Sequence, residues 1–385
     1  MELTVNIHAR QLLIFILLAF LIDVSYGTIT VAIPLYLASL NKSAIDFGLI
    51  VGVASIGSLL IKIPLGILSD KIGKKFLIFL GFVILLISNV LFPIYLDGLA
   101  VLRIFQGLAL SLIWVPFTVL FIDTFRDASK IAYYTGAYMT GSLAGSLLGG
   151  LLPQYMGYQF TFSFSAGILI LCTPMLFLIS ESKTTKDKAR IENRSNPVQM
   201  IYAWLLGTAN IAAGMIFLSF MPLFAYTQLH SSSSEIGMLI FLEGLVYALL
   251  AVPAGRMIGR SENLKLLLAG NAAILIVFSM FYFSYNLAEL AIVSVMFGAI
   301  SAVVLPISMS MASESMSDKG KAMGIYQTCY DIGCFIGPSL AGMTAAAFSI
   351  RHAFFAIVPI IVLSFILILI TGMISKPGFS LGNGK

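Results

Sequence analysis

The chain has 385 residues, of which 59 % are hydrophobic and only 10 % are charged. A water-soluble domain of this size does not need so much apolar surface, so the lipid bilayer is the expected solvent. The net charge of +5 does not indicate nucleic-acid binding, because the basic residues collect in alternate loops. A membrane-spanning helix needs about 20 mostly apolar residues. Twelve such spans are predicted: 11–39, 47–69, 76–96, 99–122, 131–153, 158–180, 199–226, 236–258, 264–285, 288–312, 321–346 and 352–374.

The first span is longer than the ~7–15-residue apolar core of a signal peptide, and no small-residue cleavage site follows it, so a retained helix is expected. Cys172, Cys329 and Cys334 lie inside predicted spans without metal-ligand spacing, and we expect them to be packing residues. The sequence has no GxxxxGK[ST] phosphate loop and no Ser/His/Asp set near an interface. We therefore expect a membrane protein that is not an enzyme and that holds no cofactor or metal.

Basic residues predict the orientation in the membrane. All but four of the 22 Lys and Arg residues fall in loops on one side of the predicted bundle. Lys42 and Arg351 lie on the opposite side, and Lys62 and Arg103 lie within spans. By the positive-inside rule both termini are cytoplasmic, which agrees with an even number of spans, since that number places the termini on the same side. The sequence therefore predicts an all-α, multi-pass protein of the plasma membrane.

The polar segment 181–198 divides the chain into two groups of six spans, residues 1–180 and residues 199–385. Landmarks recur between the groups at an offset of about 188–191 residues, which indicates two parallel repeats. The recurring pairs are Pro34 and Pro222, Asp46 and Glu235, Gly48 and Gly237, Pro64 and Pro253, Gly66 and Gly255, Pro116 and Pro306, Gly136 and Gly324, Gly145 and Gly333, and Gly149 and Gly337.

The string GILSDKIGKK, from Gly66 to Lys75, joins predicted spans 2 and 3. It resembles the signature loop of the major facilitator superfamily, a group of secondary transporters, and the resemblance extends over nearly the whole chain. The family's loop is thought to latch the two halves in one state, which implies latch roles for Gly66, Asp70, Lys71, Gly73 and Lys74. A polar hairpin that obeys the positive-inside rule would explain the lysines alone. In the second copy, GRMIGR, Gly259 stands where Asp70 would be.

Two further stretches resemble family motifs. RIFQG, from Arg103 to Gly107, resembles the span 4 motif, although the arginine could instead extend its stem toward the outer interface. Gly141, Gly145 and Gly149 in span 5 resemble a motif typical of antiporters, but the proline expected after the third glycine is Gly150 here. Span 11 has Gly333, Gly337 and that proline, Pro338. Close helix packing through small residues is the alternative explanation.

Five charged residues lie inside predicted spans: Asp23, Lys62, Arg103, Glu243 and Asp331. In the family fold, the spans that carry them line the cavity or the interface between halves. Asp23 and Lys62 differ in depth by roughly 6 Å at 1.5 Å per residue, so we predict that they pair. Asp23 is then either a structural partner or a titratable carboxylate whose pKa Lys62 tunes. Glu243 and Asp331 are alternative proton sites, or protonated acids without a transport role.

Polar and aromatic residues on the inner spans are candidates for a substrate cavity, with ordinary packing as the alternative for each. They are Tyr26, Thr30, Gln106, Trp114, Trp204, Asn210, Tyr247, Tyr326, Gln327 and Tyr330. The resemblance implies alternating access by a monomer in the lipid bilayer, with a small molecule and protons as partners and no nucleic acid. We expect proton-coupled efflux of hydrophobic or amphipathic compounds. The alternatives are an importer or uniporter of a small nutrient, and a membrane sensor that does not transport.

Overall fold

The computed structural model describes residues 2–125, 128–179, 196–255, 263–316 and 318–374. Most of the predicted linker, Arg126, the loop copy after Gly255 and the basic residues after 374 lie outside the described residues, as do the side chains of Gly66 and Asp70. The helices are α1 Glu2–Ser39, α2 Ala44–Gly52, α3 Ala54–Ile72, α4 Lys74–Leu91, α5 Leu99–Thr124, α6 Ala128–Phe177, α7 Pro197–Gln228, α8 Ser233–Gly255, α9 Asn263–Tyr282, α10 Leu287–Glu314, α11 Lys319–Ala347 and α12 Ile357–Ile374. Short 3₁₀ helices cover Leu96–Gly98 and Ile350–Ala356.

Ten segments of the described chain are long and apolar enough to cross a membrane. This number treats the 50-residue helix α6 as one segment and does not include α11, so the predicted total of twelve spans remains a prediction. Predicted span 2 is divided into α2 and α3 by a break at Val53. The all-helical, multi-pass membrane architecture is as predicted.

Helix α6 reverses direction at Gly157, whose φ of 82° is outside the helical range and is readily adopted by glycine. The packing on α1 shows the reversal. Gly145, before the turn, lies against the Val24 carbonyl, and Ser165, after the turn, hydrogen bonds with Ser25. Two points 20 residues apart can meet neighbouring residues of α1 only if the arms 128–156 and 158–177 run antiparallel.

The recurring acid and glycine at the start of α2 and α8 have a structural cause. Ser43 accepts a hydrogen bond from the Asp46 N–H, and its hydroxyl donates to the Asp46 carboxylate. Ser232 and Glu235 form the corresponding pair, in which Glu235 Oε2 accepts from the Ser232 N–H at 2.7 Å. Both are serine–acid capping arrangements at helix N-termini. The acids therefore cap the N-termini of α2 and α8, which explains why they recur at these positions.

Helices α1–α6, the first half, meet helices α7–α12, the second half, along two seams that contain glycines, and α1 also packs on α7. In the first seam α2 and α3 pack on α11: Gly48 lies against Pro338 and Gly342, and Gly52 lies against the Phe335 carbonyl. In the second seam the first arm of α6 packs on α8. There a Cβ on Gly150 would come within 2.7 Å of the Gly237 Cα. Because these glycines have no side chains, the backbones of the two halves can come into direct contact.

Both seams separate toward the other end of the bundle. Gly324 lies 18 residues before Gly342, five helical turns along the same face of α11, and an added Cβ there would meet nothing within 4 Å. Gly136 lies about four turns before Gly150 on α6 and is equally open. The halves therefore touch at a closed end, near Gly150 and Gly342, and part at an open end, near Gly136 and Gly324.

Glycines inside each half follow one packing scheme. Gly145 and Gly149 lie against the carbonyls of Val24 and Thr28 on α1. Gly333 and Gly337 lie against the carbonyls of Thr208 and Ala212 on α7. In both halves, two glycines one turn apart lie against two carbonyls one turn apart on the neighbouring helix. The close-packing explanation of the glycine stripes is confirmed. This packing is independent of whether the protein is an antiporter.

The glycine stripe yields a stability prediction. Gly145→Ala places a Cβ 2.7 Å from a backbone oxygen of α1, which cannot move aside without shifting the helix. We expect the free energy of unfolding to fall by about 1–3 kcal/mol, the usual cost of overpacking. The control is Gly136→Ala, where the space is open. Thermal unfolding of the detergent-purified variants measures the difference, and equal unfolding temperatures would contradict the packing.

Candidate functional site

An ion pair joins the two halves at the level where the first seam parts. Lys62 Nζ of α3 lies 2.6 Å from Asp331 Oδ2 of α11, and the Ser58 hydroxyl donates to Asp331 Oδ1 at 3.1 Å. Ser58 is also hydrogen bonded to Ser111 of α5. The predicted pairing of Lys62 with Asp23 is therefore wrong. Asp23 and Lys62 lie at similar depths in the membrane, which made their pairing possible. At this level, however, α3 faces α11, which carries Asp331.

Asp23 lies on α1 and is 5 % exposed. Its Oδ2 is buried and accepts no hydrogen bond from the residues that the structure describes. Gly141 of α6 passes directly beside it, and the rings of Tyr134 and Tyr138 lie within electrostatic range. A buried, ionised carboxylate oxygen without a donor is costly, which favours a proton or a bound cation at Asp23.

Glu243 lies on α8, beside the point where the second seam ends. Its neighbour Gly244 would bring a Cβ within 2.9 Å of Leu143 on α6. Tyr247, one turn along α8, is within electrostatic range of Glu243 and also of Tyr138 in the other half. Because Tyr138 also interacts with Asp23, the two acids stand at either side of one aromatic cluster.

Arg103 binds backbone at the break in span 2. Its Nε donates to the Ile50 carbonyl at 3.3 Å and its Nη2 to the Val51 carbonyl at 3.1 Å. The Ser55 hydroxyl donates to the Gly52 carbonyl. Carbonyls in the last turn of a helix lack intrahelical donors, and these side chains supply them. The guanidinium is thus held inside the protein rather than extended to the interface, contrary to the snorkelling alternative.

A chain of hydrogen bonds continues from Arg103 through the first half. Arg103 Nη1 donates to Gln106 Oε1, Gln106 Nε2 donates to Asn89 Oδ1, and Asn89 Nδ2 donates to Ser165 Oγ. Gln106 is fully buried in this chain, and Asn210 is buried against Ser301 of α10. Both were predicted to line the cavity. That prediction is wrong for this state, because their polar groups are turned toward protein partners.

The other predicted cavity residues differ in their surroundings. Trp114 packs edge-to-face on Tyr138, at a ring separation of 6.0 Å. Tyr330 is 37 % exposed and Gln327 is half-buried, both on the stretch of α11 where the first seam opens. Tyr26 is half-buried near Arg103, whereas Thr30 donates to the Tyr26 carbonyl. Tyr326 is bonded to Ser308, and Trp204 has a buried indole nitrogen without a partner among the described residues.

The signature loop turns at Gly73, whose φ of 91° confirms the predicted tight turn. Lys71 is exposed, as the positive-inside rule expects. Lys74 is not: it is buried, and its Nζ lies 2.8 Å from Asp123 Oδ2 at the end of α5. Sequence reasoning missed Asp123, although an acid in the last turn of span 4 was a visible signal. Among the described residues no group of three or more His, Cys, Asp or Glu could hold a metal.

Known proteins share this architecture. The family model described as Major Facilitator Superfamily matches residues 15–224 and 203–383. The chain is 23 % identical over 351 residues to an uncharacterised MFS-type transporter of Methanocaldococcus jannaschii, covering 85 % of this chain and 89 % of that protein. It is 24 % identical over 352 residues to the quinolone resistance protein NorA of Staphylococcus aureus, covering 86 % and 89 %. A bacterial homologue of the human lysosomal transporter Spinster, in an inward-facing and occupied conformation, matches with a TM-score of 0.79 at 17 % identity, over 95 % of this chain and 97 % of that one.

The contacts of Arg103 predict a structural role. Arg103→Ala leaves the carbonyls of Ile50 and Val51 and the Gln106 side chain without their donor. Each unsatisfied group costs about 1–3 kcal/mol, so we expect a clear fall in the thermal unfolding temperature. Exposed Lys71→Ala is the control. An Arg103→Ala protein that unfolds at the wild-type temperature but does not transport would overturn the structural assignment.

Proposed function

We propose that the chain, which belongs to the major facilitator superfamily, exports hydrophobic or amphipathic compounds in exchange for protons. Members of this family are transporters and not enzymes, and this chain is a transporter on that ground. The observation that carries the finer proposal is Asp23, a buried carboxyl whose Oδ2 has no donor among the described residues, near the level where the halves part. Such a group can be satisfied by a proton in one state and by a cationic substrate in the other.

The proposed direction is outward. The likeness to NorA, whose name states quinolone resistance, extends over 86 % of the chain and favours drug efflux. Tyr134 and Tyr138 are within electrostatic range of Asp23, and apolar compounds with a positive charge bind well to ring faces and a carboxylate together. If the termini are cytoplasmic, as the positive-inside rule predicts, the open end faces the cytoplasm, where an exporter collects its substrate.

The roles of the acids follow from their partners. Asp23 is the proposed proton site, because it has no resident counter-ion in the described structure. Glu243, across the aromatic cluster in the other half, is the proposed second acid for protons or substrate charge. Asp331 is already bound to Lys62, and we give it no proton-carrying role. The protein would alternate between open ends by rocking of its two halves around this level.

Proton movement in proteoliposomes tests the proposal. Addition of tetraphenylphosphonium to purified wild-type protein should release protons, and Asp23→Asn should reduce that signal by about tenfold or more. Asp97→Asn, which changes an exposed loop acid, is the matched control and should behave as wild type. Sugars and amino acids complete the panel.

Three outcomes would contradict parts of this proposal. Proton uptake that accompanies a nutrient would make the protein an importer. Unchanged proton release in Asp23→Asn would remove Asp23 from the coupling mechanism and direct attention to Glu243. Substrate movement without any proton movement would make the protein a uniporter.

A further inference from the structure

The residues that face each other along the first seam follow an antiparallel register. Gly48 meets Gly342, Gly52 meets Phe335, and Lys62 meets Asp331. Beyond Asp331 the seam is open, since Gly324 on α11 faces empty space. From Gly342 to Asp331 the contact extends over roughly 16 Å of helix at 1.5 Å per residue, about half of a bilayer core. The ion pair therefore lies near the middle of the membrane, between the glycine contacts of the seam and its open end.

The second seam ends at the same level by a different contact. Ser234 donates to Gln154 at the closed end, through its N–H at 2.9 Å and its hydroxyl at 2.5 Å. Gly150 meets Gly237 further along, Gly244 lies against Leu143, and beyond them Tyr247 is within electrostatic range of Tyr138. Further toward the open end, Gly136 faces open space. The two seams therefore part at matching positions, one marked by an ion pair and the other by an apolar contact.

We infer that the Lys62–Asp331 ion pair is one of two pivots on which the halves rock, the other being the contact of Leu143 with Gly244. A pivot is the contact that stays in place while the closed end opens and the open end closes. This inference rests on the proposed alternating-access function, and it assigns Lys62 and Asp331 as positioning residues. They would hold the two halves in register and would take no part in proton transfer.

Electrostatics favours a permanent contact at this place. Lys62 belongs to one half and Asp331 to the other, and Asp331 is almost fully buried. If each rocking step separated them, two charges would lose their partners inside the bilayer at once, which is strongly unfavourable. A pair at the axis of rotation avoids this cost because its two members barely move apart.

Cross-linking distinguishes a pivot from a lock that must open. We would replace Cys172, Cys329 and Cys334 by serine and introduce Lys62→Cys with Asp331→Cys, joined by a short bifunctional methanethiosulfonate. The control joins Gln154→Cys to Ser234→Cys at the closed end with the same reagent. We expect the cross-linked pivot pair to keep about half or more of tetraphenylphosphonium transport, and the cross-linked control to lose about tenfold or more, because only the closed end has to open. If the cross-link between positions 62 and 331 abolished transport by itself, the inference would be overturned.

A second variant tests the inference independently, in case the protein with the cysteine pair folds poorly. Lys62→Met combined with Asp331→Leu replaces the ion pair by an apolar contact, which is often neutral or stabilising, whereas Asp331→Leu alone leaves a buried lysine. We expect the double variant to keep transport driven by a pH gradient and the single variant to lose about tenfold or more. A double variant that folds but no longer couples transport to protons would overturn the inference and make Asp331 a coupling residue.

A substrate-free measurement separates this inference from the proposed function. Spin labels at Leu60 and Ile332, exposed residues beside the pair, should keep one distance in acidic and alkaline buffer. Labels at Tyr133 and Val252, exposed residues toward the open end, should shift between two distances. If wild-type protein transports none of the panel while these distances behave as stated, the proposed substrate fails and the pivot stands. Two distances at Leu60 and Ile332 would refute the pivot.

Discussion

A polar group inside the bilayer has no water to bind, so it must find its partner within the protein. Arg103 meets this constraint with the carbonyls that the break in span 2 exposes, and Lys62 meets it with Asp331 from the other half. Asp23 does not meet it among the described residues. The same requirement therefore explains why Arg103 and the Lys62–Asp331 pair have structural partners, and why an intramembrane acid whose buried oxygen has no donor among the described residues is a candidate for exchange with the solvent or a substrate.

The positions of these residues also agree with the shape of the interface. Glycine contacts close both seams at one end, and equivalent glycines face open space at the other. Asp23 lies beside Gly141, Glu243 precedes Gly244, and Asp331 ends the first seam. The three acids thus share the level at which the halves part. A group at that level can be reached from either side as the halves rock, which is the requirement for a site that binds in one compartment and releases in the other.

Hydropathy, charge and glycine spacing were sufficient to predict the helical membrane architecture, the turn at Gly73 and the close packing of Gly145 and Gly333. They could not identify the partner of Lys62, because depth along a helix does not say which face meets which neighbour, and Asp331 is 269 residues away in the chain. Sequence also could not show whether the side chains of Gln106 and Asn210 face the cavity. A polar side chain on an inner helix can point either to the cavity or to a neighbouring helix. The break at Val53 has no proline to mark it.

The reversal at Gly157 has a mechanical consequence. Consecutive Cα atoms are only 3.8 Å apart, so a single residue between the two arms of α6 leaves no slack in the chain. When the first arm tilts with the second seam, the second arm has to follow, and both arms are packed on α1. Helices α4 and α5, in contrast, are joined by the longer connection 92–98. A tilt of the first arm of α6 is therefore tied to the start of the second arm at Gly157, so the two arms cannot move apart at that end.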